Sequence, residues 1–466
     1  MSAPVLWILL PGVTAIALFF LRRWERVSII VAIAISLGLG VLTVTLPVGS
    51  PLAFGPLSLK LNDTLYFFGR QFVLGAADLS LLTLVYGSLA FWLGAAYLAR
   101  VHWFFLPSSL GMVALLTAVL SVEPFLYAAL LIELVTLLSI PMLVVPGQVL
   151  GRGILRFLTF QTLSMPFILY TGWMLSGVES GSGQIVLLVR ASLLMGLGFA
   201  LMLAIFPFHT WIPMLMEESH PYAATFVLNM LTLVVLLFGL GLLNRYEWLR
   251  TSPTFYAILA VAGVLMVLTG GGLAAFEHHL GRILGYTVMV EVGYSLLAIS
   301  FSAEIGLGIF FALLVPRVIG LGVWALALSV LQEKRGDLSF QANQGIVREL
   351  PFAAVSLVIA HFSSVGFPIL AGFPARVYLW VLLAERDIPL TVGLFLGTLG
   401  LLVAVLRTLI LLVTGPDEGP QRIKENIWVR LTLGIGMLSL LLAGLIPQWF
   451  SPFLVSMQRV FENLAP

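Results

Sequence analysis

Fourteen times along this chain, a run of predominantly apolar residues is followed by a short polar connection. The runs fall at roughly 4–21, 28–46, 74–98, 104–121, 124–145, 155–177, 186–207, 222–243, 254–276, 283–301, 304–331, 352–382, 389–414 and 428–447. At about 1.5 Å of rise per residue, a helix of about 20 residues spans the roughly 30 Å hydrocarbon core of a bilayer. Hydrophobic residues make up 60% of the 466 positions and charged residues 9%, whereas a soluble domain carries about a quarter charged residues. Such a chain has too little polar surface to face water, so its solvent has to be lipid. The expected fold is an all-α polytopic membrane protein of about 14 transmembrane helices, forming one membrane domain over 1–466. The longest polar stretches, 332–348 and 415–426, are too short to bury a core of their own.

Cysteine is absent, which excludes disulfides, thiolate metal sites, iron–sulfur ligation and cysteine nucleophiles within this chain. The only lysines are Lys60, Lys334 and Lys424, all in connections, and no basic run suggests nucleic acid. Arg22, Arg23 and Arg26 follow the first apolar run instead of preceding it, so that run is read as a retained first helix and not as a signal peptide. The connections holding Arg22, Arg23, Arg26, Arg100, Arg282, Lys334, Arg335, Arg422 and Lys424 follow odd-numbered runs, with Arg152 after the fifth. By the positive-inside rule these connections are cytoplasmic and both termini lie outside, against which Arg245 and Arg250 sit on the other side.

Two segments are expected to break. Pro207, Pro213 and Pro221 interrupt 205–221, and Gly366, Pro368, Gly372 and Pro374 interrupt 363–376. Broken helices at membrane depth are tolerated only where they face protein or a wet cavity. One break in each half points to inverted repeats around a transport path. The first repeat is placed at 104–243 and the second at 254–414, after three N-terminal helices in 1–98 and before a C-terminal helix and tail in 428–466. Gly270, Gly271 and Gly272 sit in an apolar run without a lysine, which points to close helix packing and not to nucleotide binding.

A charge at membrane depth costs at least about 2.5–3.5 kcal/mol, so each one needs a reason. Glu133 is a lone carboxylate in the fifth run, suited to carrying a proton or to a helix-packing hydrogen bond. His278 and His279 precede the tenth run, as titrating groups or as interfacial anchors. Glu291 lies nine residues beyond Arg282, about 13 Å deeper along a helix. Arg317, Arg376 and Arg407 are deep in their runs, and His361 precedes Arg376 in the twelfth. Arginine scarcely deprotonates, so it serves as a fixed charge that sets the proton affinity of a neighbour, or as one half of a structural ion pair; the structural role is assigned to Arg407. His209, Glu217, Glu218 and His220 cluster at the first break, where the spacing favours a hydrated half-channel or helix cap over a metal site.

Several motifs then coincide. Pro207-Phe208-His209-Thr210-Trp211-Ile212-Pro213 resembles the P-x-H-x-W-L-P segment of the proton-translocating, antiporter-like membrane subunits of respiratory complex I. That family is also related to Mrp antiporter and membrane-bound hydrogenase subunits. Asp78-Leu79-Ser80, Ile132-Glu133-Leu134 and Arg282-Ile283-Leu284-Gly285-Tyr286-Thr287 resemble further segments of it, as do Gly366-Phe367-Pro368 and Ala371-Gly372-Phe373 with Arg376. They follow family order over roughly 75–380. Met202 stands where the family usually has a lysine that pairs with the glutamate matched by Glu133, and a further family lysine would fall near Leu233. Glu291 and Arg317 stand at usual histidine positions, and Arg376 at a usual Lys or Glu.

The resemblance implies a subunit that moves protons through a hydrated chain of Glu133, His209, His278, His279, Glu291, Arg317, His361 and Arg376. It implies no cofactor in this chain, redox chemistry in partner chains, and other membrane subunits of a complex I-like assembly as partners. The chain is similar to the shorter, 14-helix members. An Mrp-type antiporter or a hydrogenase or carbon-uptake subunit is a second reading. A structural subunit that conducts nothing is a third, favoured by the missing lysines.

Overall fold

A computed structural model of the chain describes residues 2–49, 51–54, 57–144, 147, 149–175, 185–301, 303–415 and 425–464. Helices occupy the apolar runs in order. A π-helical turn over Val5–Leu9 leads into α1 (Leu10–Phe20), and α2 is Glu25–Thr45. Next come α3 (Leu79–Ala96), α4 (Phe105–Ser121), α5 (Tyr127–Leu143), α6 (Arg152–Leu175) and α7 (Ile185–Met202). The short α8 (Trp211–Glu218) precedes α9 (Pro221–Arg245) and the single turn α10 (Glu247–Arg250). The second half holds α11 (Pro253–Phe276), α12 (Leu280–Ile299) and α13 (Ala303–Arg335). It continues through α14 (Pro351–Val365), α15 (Phe373–Arg386), α16 (Ile388–Val413), α17 (Ile427–Leu445) and α18 (Ser451–Gln458). Both expected breaks are present, between α7 and α8 and between α14 and α15. Arg422 and Lys424 lie outside the described residues.

Eight helices among the described residues are long and apolar enough to cross a membrane: α2, α3, α9, α11, α12, the stretch Ile305–Arg335 of α13, α16 and α17. Four apolar helices are shorter, among them α4 and α5. The purely helical expectation needs one correction. Residues 51–73, read as a bare connection, form two antiparallel hairpins: β1 (Pro51–Phe54) with β2 (Leu57–Lys60), and β3 (Thr64–Phe67) with β4 (Arg70–Val73). β4 also pairs with β5 (Val122–Glu123), which follows α4. Backbone that leaves a helix still needs partners. Phe68 and Gly69, both at positive φ, make the two-residue turn that closes β3 onto β4.

Helix starts follow their local chemistry. Asp387 accepts from the Leu390 amide (2.9 Å) to cap α16, and Glu425 accepts from the Phe352 and Ala353 amides (3.2 and 2.8 Å) to cap α14. α9 and α12 are buried along most of their length, whereas α2 and α17 are the least buried of the candidate spans and border the outside. The polar residues of α9 and α12 therefore face protein.

The glycine run behaves as two contacts and one open position. A Cβ on Gly271 would meet the Gly397 carbonyl oxygen at 1.8 Å, and one on Gly400 would meet the Gly271 oxygen at 2.5 Å, so α11 and α16 touch backbone to backbone. A Cβ on Gly272 would meet nothing within 4 Å. Gly271→Val is therefore expected to force α11 and α16 apart. The cost should lie at the upper end of the about 1–3 kcal/mol of overpacking, because a backbone carbonyl cannot rotate away. Gly272→Ala should be neutral. Thermal unfolding of the purified variants in detergent checks this, and an unaltered midpoint for Gly271→Val would refute the close contact.

Candidate functional site

The second break is built around a buried ion pair. α14 ends at Gly366, whose φ of +85° is open to glycine and strained for other residues. The chain turns through Phe367 and Pro368 and restarts at Phe373. Arg376, one turn into α15, reaches back across this gap. Its Nη1 donates to the Ser363 carbonyl (2.7 Å), and its Nη2 donates to Glu291 Oε1 on α12 (2.5 Å). A Cβ on Gly372 would sit 2.0 Å from the Ser363 oxygen and 2.1 Å from Arg376 Nη1, so a glycine there leaves room for the guanidinium. Arg376 and Glu291 are each 3% exposed.

The pair has an aromatic floor. The Arg376 guanidinium lies 4.9 Å from the centre of the Tyr294 ring, one turn from Glu291 on α12. The Tyr294 hydroxyl is held by Thr398 (2.9 Å) and by the Trp380 indole N–H (3.3 Å). Arg376 Nε has no partner.

Arg317 on α13 is equally buried, but its partner is neutral. One Nη donates to Thr232 Oγ1 on α9, while its other Nη and its Nε have no hydrogen-bond partner. Asn229, three residues before Thr232, is fully buried with neither amide atom partnered. Trp324 lies seven residues beyond Arg317, about 10 Å along the same face of α13. Its ring stands 4.2 Å from that of His361 on α14, and neither His361 nitrogen has a partner. Unsatisfied buried polar atoms are costly, and here Arg317, Asn229, Trp324 and His361 gather them on the facing helices α9, α13 and α14. Buried water needs such groups to hold it.

The first half is different. Glu133 Oε1 accepts from Thr162 on α6 (2.7 Å), its Oε2 has no partner, and no cation lies within ion-pair distance of it among the described residues. Of the cations within reach, Arg156 donates to the Met214 sulfur instead, and Arg190 is exposed. Of the two geometries open to an unpaired Glu133, a nearby arginine or a hydroxyl, the chain adopts the hydroxyl. Met202 ends α7 at the first break, and its freed carbonyl accepts from Gln161 on α6 (3.0 Å). His209, 7% exposed, stacks on Phe206 with its Nδ1 unpartnered. Glu217 pairs with Arg282 (2.8 Å), and Glu218 accepts from the Gly153 amide (2.6 Å). Both carboxylates of the first-break cluster are thus engaged, and no group of three metal-ligating side chains occurs among the described residues.

His278 and His279 stand apart from the buried axis, at the start of α12. His278 is exposed, edge-on to Phe340. His279 Nδ1 accepts from the Arg282 amide (3.4 Å), and its Nε2 lies 3.8 Å from Asp337. Arg407 donates to the Ala275 carbonyl and lies over the Phe340 ring, which is a structural tie. Gln161, Asn229, Thr232 and Tyr294 were not anticipated. An inventory of uncharged polar residues inside the apolar runs would have found them.

The family described as "NADH:quinone oxidoreductase/Mrp antiporter, TM" matches residues 95–402. NADH-quinone oxidoreductase subunit N of Deinococcus radiodurans is 28% identical over 280 residues, covering 57% of this chain and 55% of that protein. The chain thus spans about half the length of the curated relatives it matches. A chain of respiratory complex I from Thermus thermophilus with bound NADH superposes with TM-score 0.76 at 22% identity, covering 99% of this chain and 100% of that one. A chain of the Mrp complex from Dietzia sp. superposes with TM-score 0.80 at 17% identity, covering 99% and 97%.

The α12 start should be sensitive to pH. Burial pushes His279 below the usual histidine range, against the opposing pull of Glu217 and Asp337. A depressed histidine contributes stability that is present above its unfolded pKa of about 6.5 and is lost as pH falls towards the folded value. Protonation also removes the Nδ1 lone pair that caps the helix, worth about 1 kcal/mol. Exchange of the Arg282 amide, corrected for its intrinsic rate, should therefore accelerate several-fold between neutral pH and pH about 5. His279→Asn keeps a capping acceptor and should flatten that dependence. Equal pH profiles in the two proteins would remove His279 as the cause.

Proposed function

Because this chain belongs to the NADH:quinone oxidoreductase/Mrp antiporter family of membrane subunits, we propose that it is an antiporter-like subunit of a complex I-type respiratory enzyme. In this reading it moves protons across the cytoplasmic membrane, coupled to quinone reduction in partner subunits. It contributes no cofactor and works beside other membrane subunits. The single observation that carries the reading is the buried Glu291–Arg376 pair at a helix break. A proton arriving at Glu291 leaves Arg376 as an uncompensated buried charge, at a cost of about 3–5 kcal/mol. Protonation there has to be matched by a change nearby, which is the form a coupling device takes. Arg376 and Arg317 act as fixed charges, because neither releases its proton readily. Glu291 and His361 carry the proton in this reading, linked by water at Asn229, Arg317 and Trp324. His278 and His279 belong to the entrance, and Glu133 and His209 to the first half.

The architecture proposed is fourteen spans: the eight long apolar helices, α6, the short helices α1, α4, α5 and α7, and the broken pair α14–α15 counted once. Two inverted five-helix repeats, 104–243 and 254–414, flank the path, with both termini on the outer side. A break in each repeat supports this arrangement.

A second reading is favoured by one observation: among the described residues Glu133 has no cationic partner, and Met202 offers none. In that reading the first half is structural.

Glu291→Gln keeps shape and hydrogen bonding but removes titration. The expected result is a fall of about tenfold or more in proton flux per electron, the factor that about 1.4 kcal/mol supplies. The double variant Glu291→Gln/Arg376→Gln should assemble better than the single one, with flux still lost. Undiminished flux in both would end the proposal. Glu133→Gln separates the two readings: reduced flux places Glu133 on the path, and unchanged flux makes the first half structural.

A further inference from the structure

A cavity of about 620 Å³ opens at the Arg-rich end of the bundle, away from the buried axis. Its polar rim holds Arg22, Glu25, Arg100, Glu333, Lys334 and Glu425. Its floor is apolar, with Leu18, Ile29, Leu106, Val330, Leu350 and Val429. α2 and α17, the two least buried candidate spans, both contribute wall residues, so the cavity borders lipid as well as water. A charged rim over an apolar floor at the membrane surface matches an amphiphile standing at the interface.

The charges on the rim narrow the class. Glu425 has both carboxylate oxygens on the Phe352 and Ala353 amides. Glu333 pairs with Arg100 at 2.9 Å. Arg22 packs only against the face of Trp103, at 5.9 Å. Arg22, Lys334 and Glu25 have no ion-pair partner among the described residues. Among the described residues the rim thus offers two free cations and one free carboxylate. Two cations suit a phosphodiester anion, and a carboxylate beside them suits a hydrogen-bonding ammonium group. A purely anionic headgroup would leave Glu25 unmatched and repelled. A quaternary ammonium has no N–H to donate to it. His102 also lines the cavity.

We propose that this cavity is a binding site for one phosphatidylethanolamine molecule. Its phosphate is held by Arg22 and Lys334, its amine by Glu25, and its acyl chains run over Ile29 and Val429 between α2 and α17. The site is independent of the proton path and stands or falls separately from it.

The test uses the intact membrane complex purified in mild detergent, with photoactivatable phosphatidylethanolamine, phosphatidylglycerol and phosphatidylcholine as probes. Labelled peptides are mapped by mass spectrometry. Phosphatidylethanolamine should label residues around 18–29 and 426–429 in preference to the other two, and excess inorganic phosphate should not displace it. No labelling there, equal labelling by all three lipids, or displacement by phosphate alone would each overturn the proposal. Arg22→Ala/Lys334→Ala should lower the labelling about tenfold, the effect of losing charge-assisted contacts. Ile29→Trp fills the floor without altering any charge and should lower it as well. Should either variant fail to assemble, the probe comparison on the unaltered complex still decides.

Discussion

Lipid offers no hydrogen bonds, so a carbonyl freed where a membrane helix breaks has to be answered from inside the protein. Both breaks in this chain obey that constraint, with different chemistry. At the first, the Met202 carbonyl is met by the neutral amide of Gln161. At the second, the Ser363 carbonyl is met by the guanidinium of Arg376. That second choice brings a charge into the interior, and the charge then requires a counter-ion. Glu291 supplies it from α12, Tyr294 offers a ring face, and Gly366 and Gly372 leave the space. One satisfied carbonyl thus explains why an arginine, a glutamate, an aromatic ring and two glycines occur together.

Much of this was legible in the sequence because membrane burial makes polarity conspicuous. The prolines and glycines marked both breaks, and Glu291 and Arg376 were found as charges that apolar runs cannot hold without cause. Gly271 was read as a packing glycine and is one, although its neighbour Gly272 faces open space. What the sequence concealed was whatever lacked charge or periodicity. Gln161, Asn229 and Thr232 are uncharged, and their partners come from helices far away in the chain. The hairpins of 51–73 were hidden because they are too short to show alternation above the general apolarity. Their pairing with β5 depends on a segment some fifty residues further on. The separation of His278 and His279 from the buried axis follows from helix length: twelve residues from His279 to Glu291 is about 18 Å.

The two halves now differ in a way that motif matching alone understates. Both carry a glutamate near a helix break. Glu291 is locked to a guanidinium in a site 3% exposed; Glu133 shares one hydroxyl with Thr162 and leaves an oxygen unpartnered. Glu291 is almost fully buried beside its cation, whereas Glu133 is only partly buried and has no cation within ion-pair distance among the described residues.

The arginines sharpen that contrast. A lysine in a wet apolar cavity can give up its proton and so act as a carrier. A guanidinium scarcely does so, and Arg317 and Arg376 both point into protein and not into lipid. In the proposed function, with arginine on α13 and α15, the mobile proton is assigned to Glu291, to His361, or to water between them. Arg317, its guanidinium satisfied by Thr232 alone, keeps two nitrogens unpartnered. In an interior this apolar, that combination is sustainable only if water reaches it. Arg317 and Arg376 thus stand where the family usually has a histidine and a Lys or Glu, and the unpartnered atoms of Arg317, Asn229 and His361 call for water in the space between α9, α13 and α14.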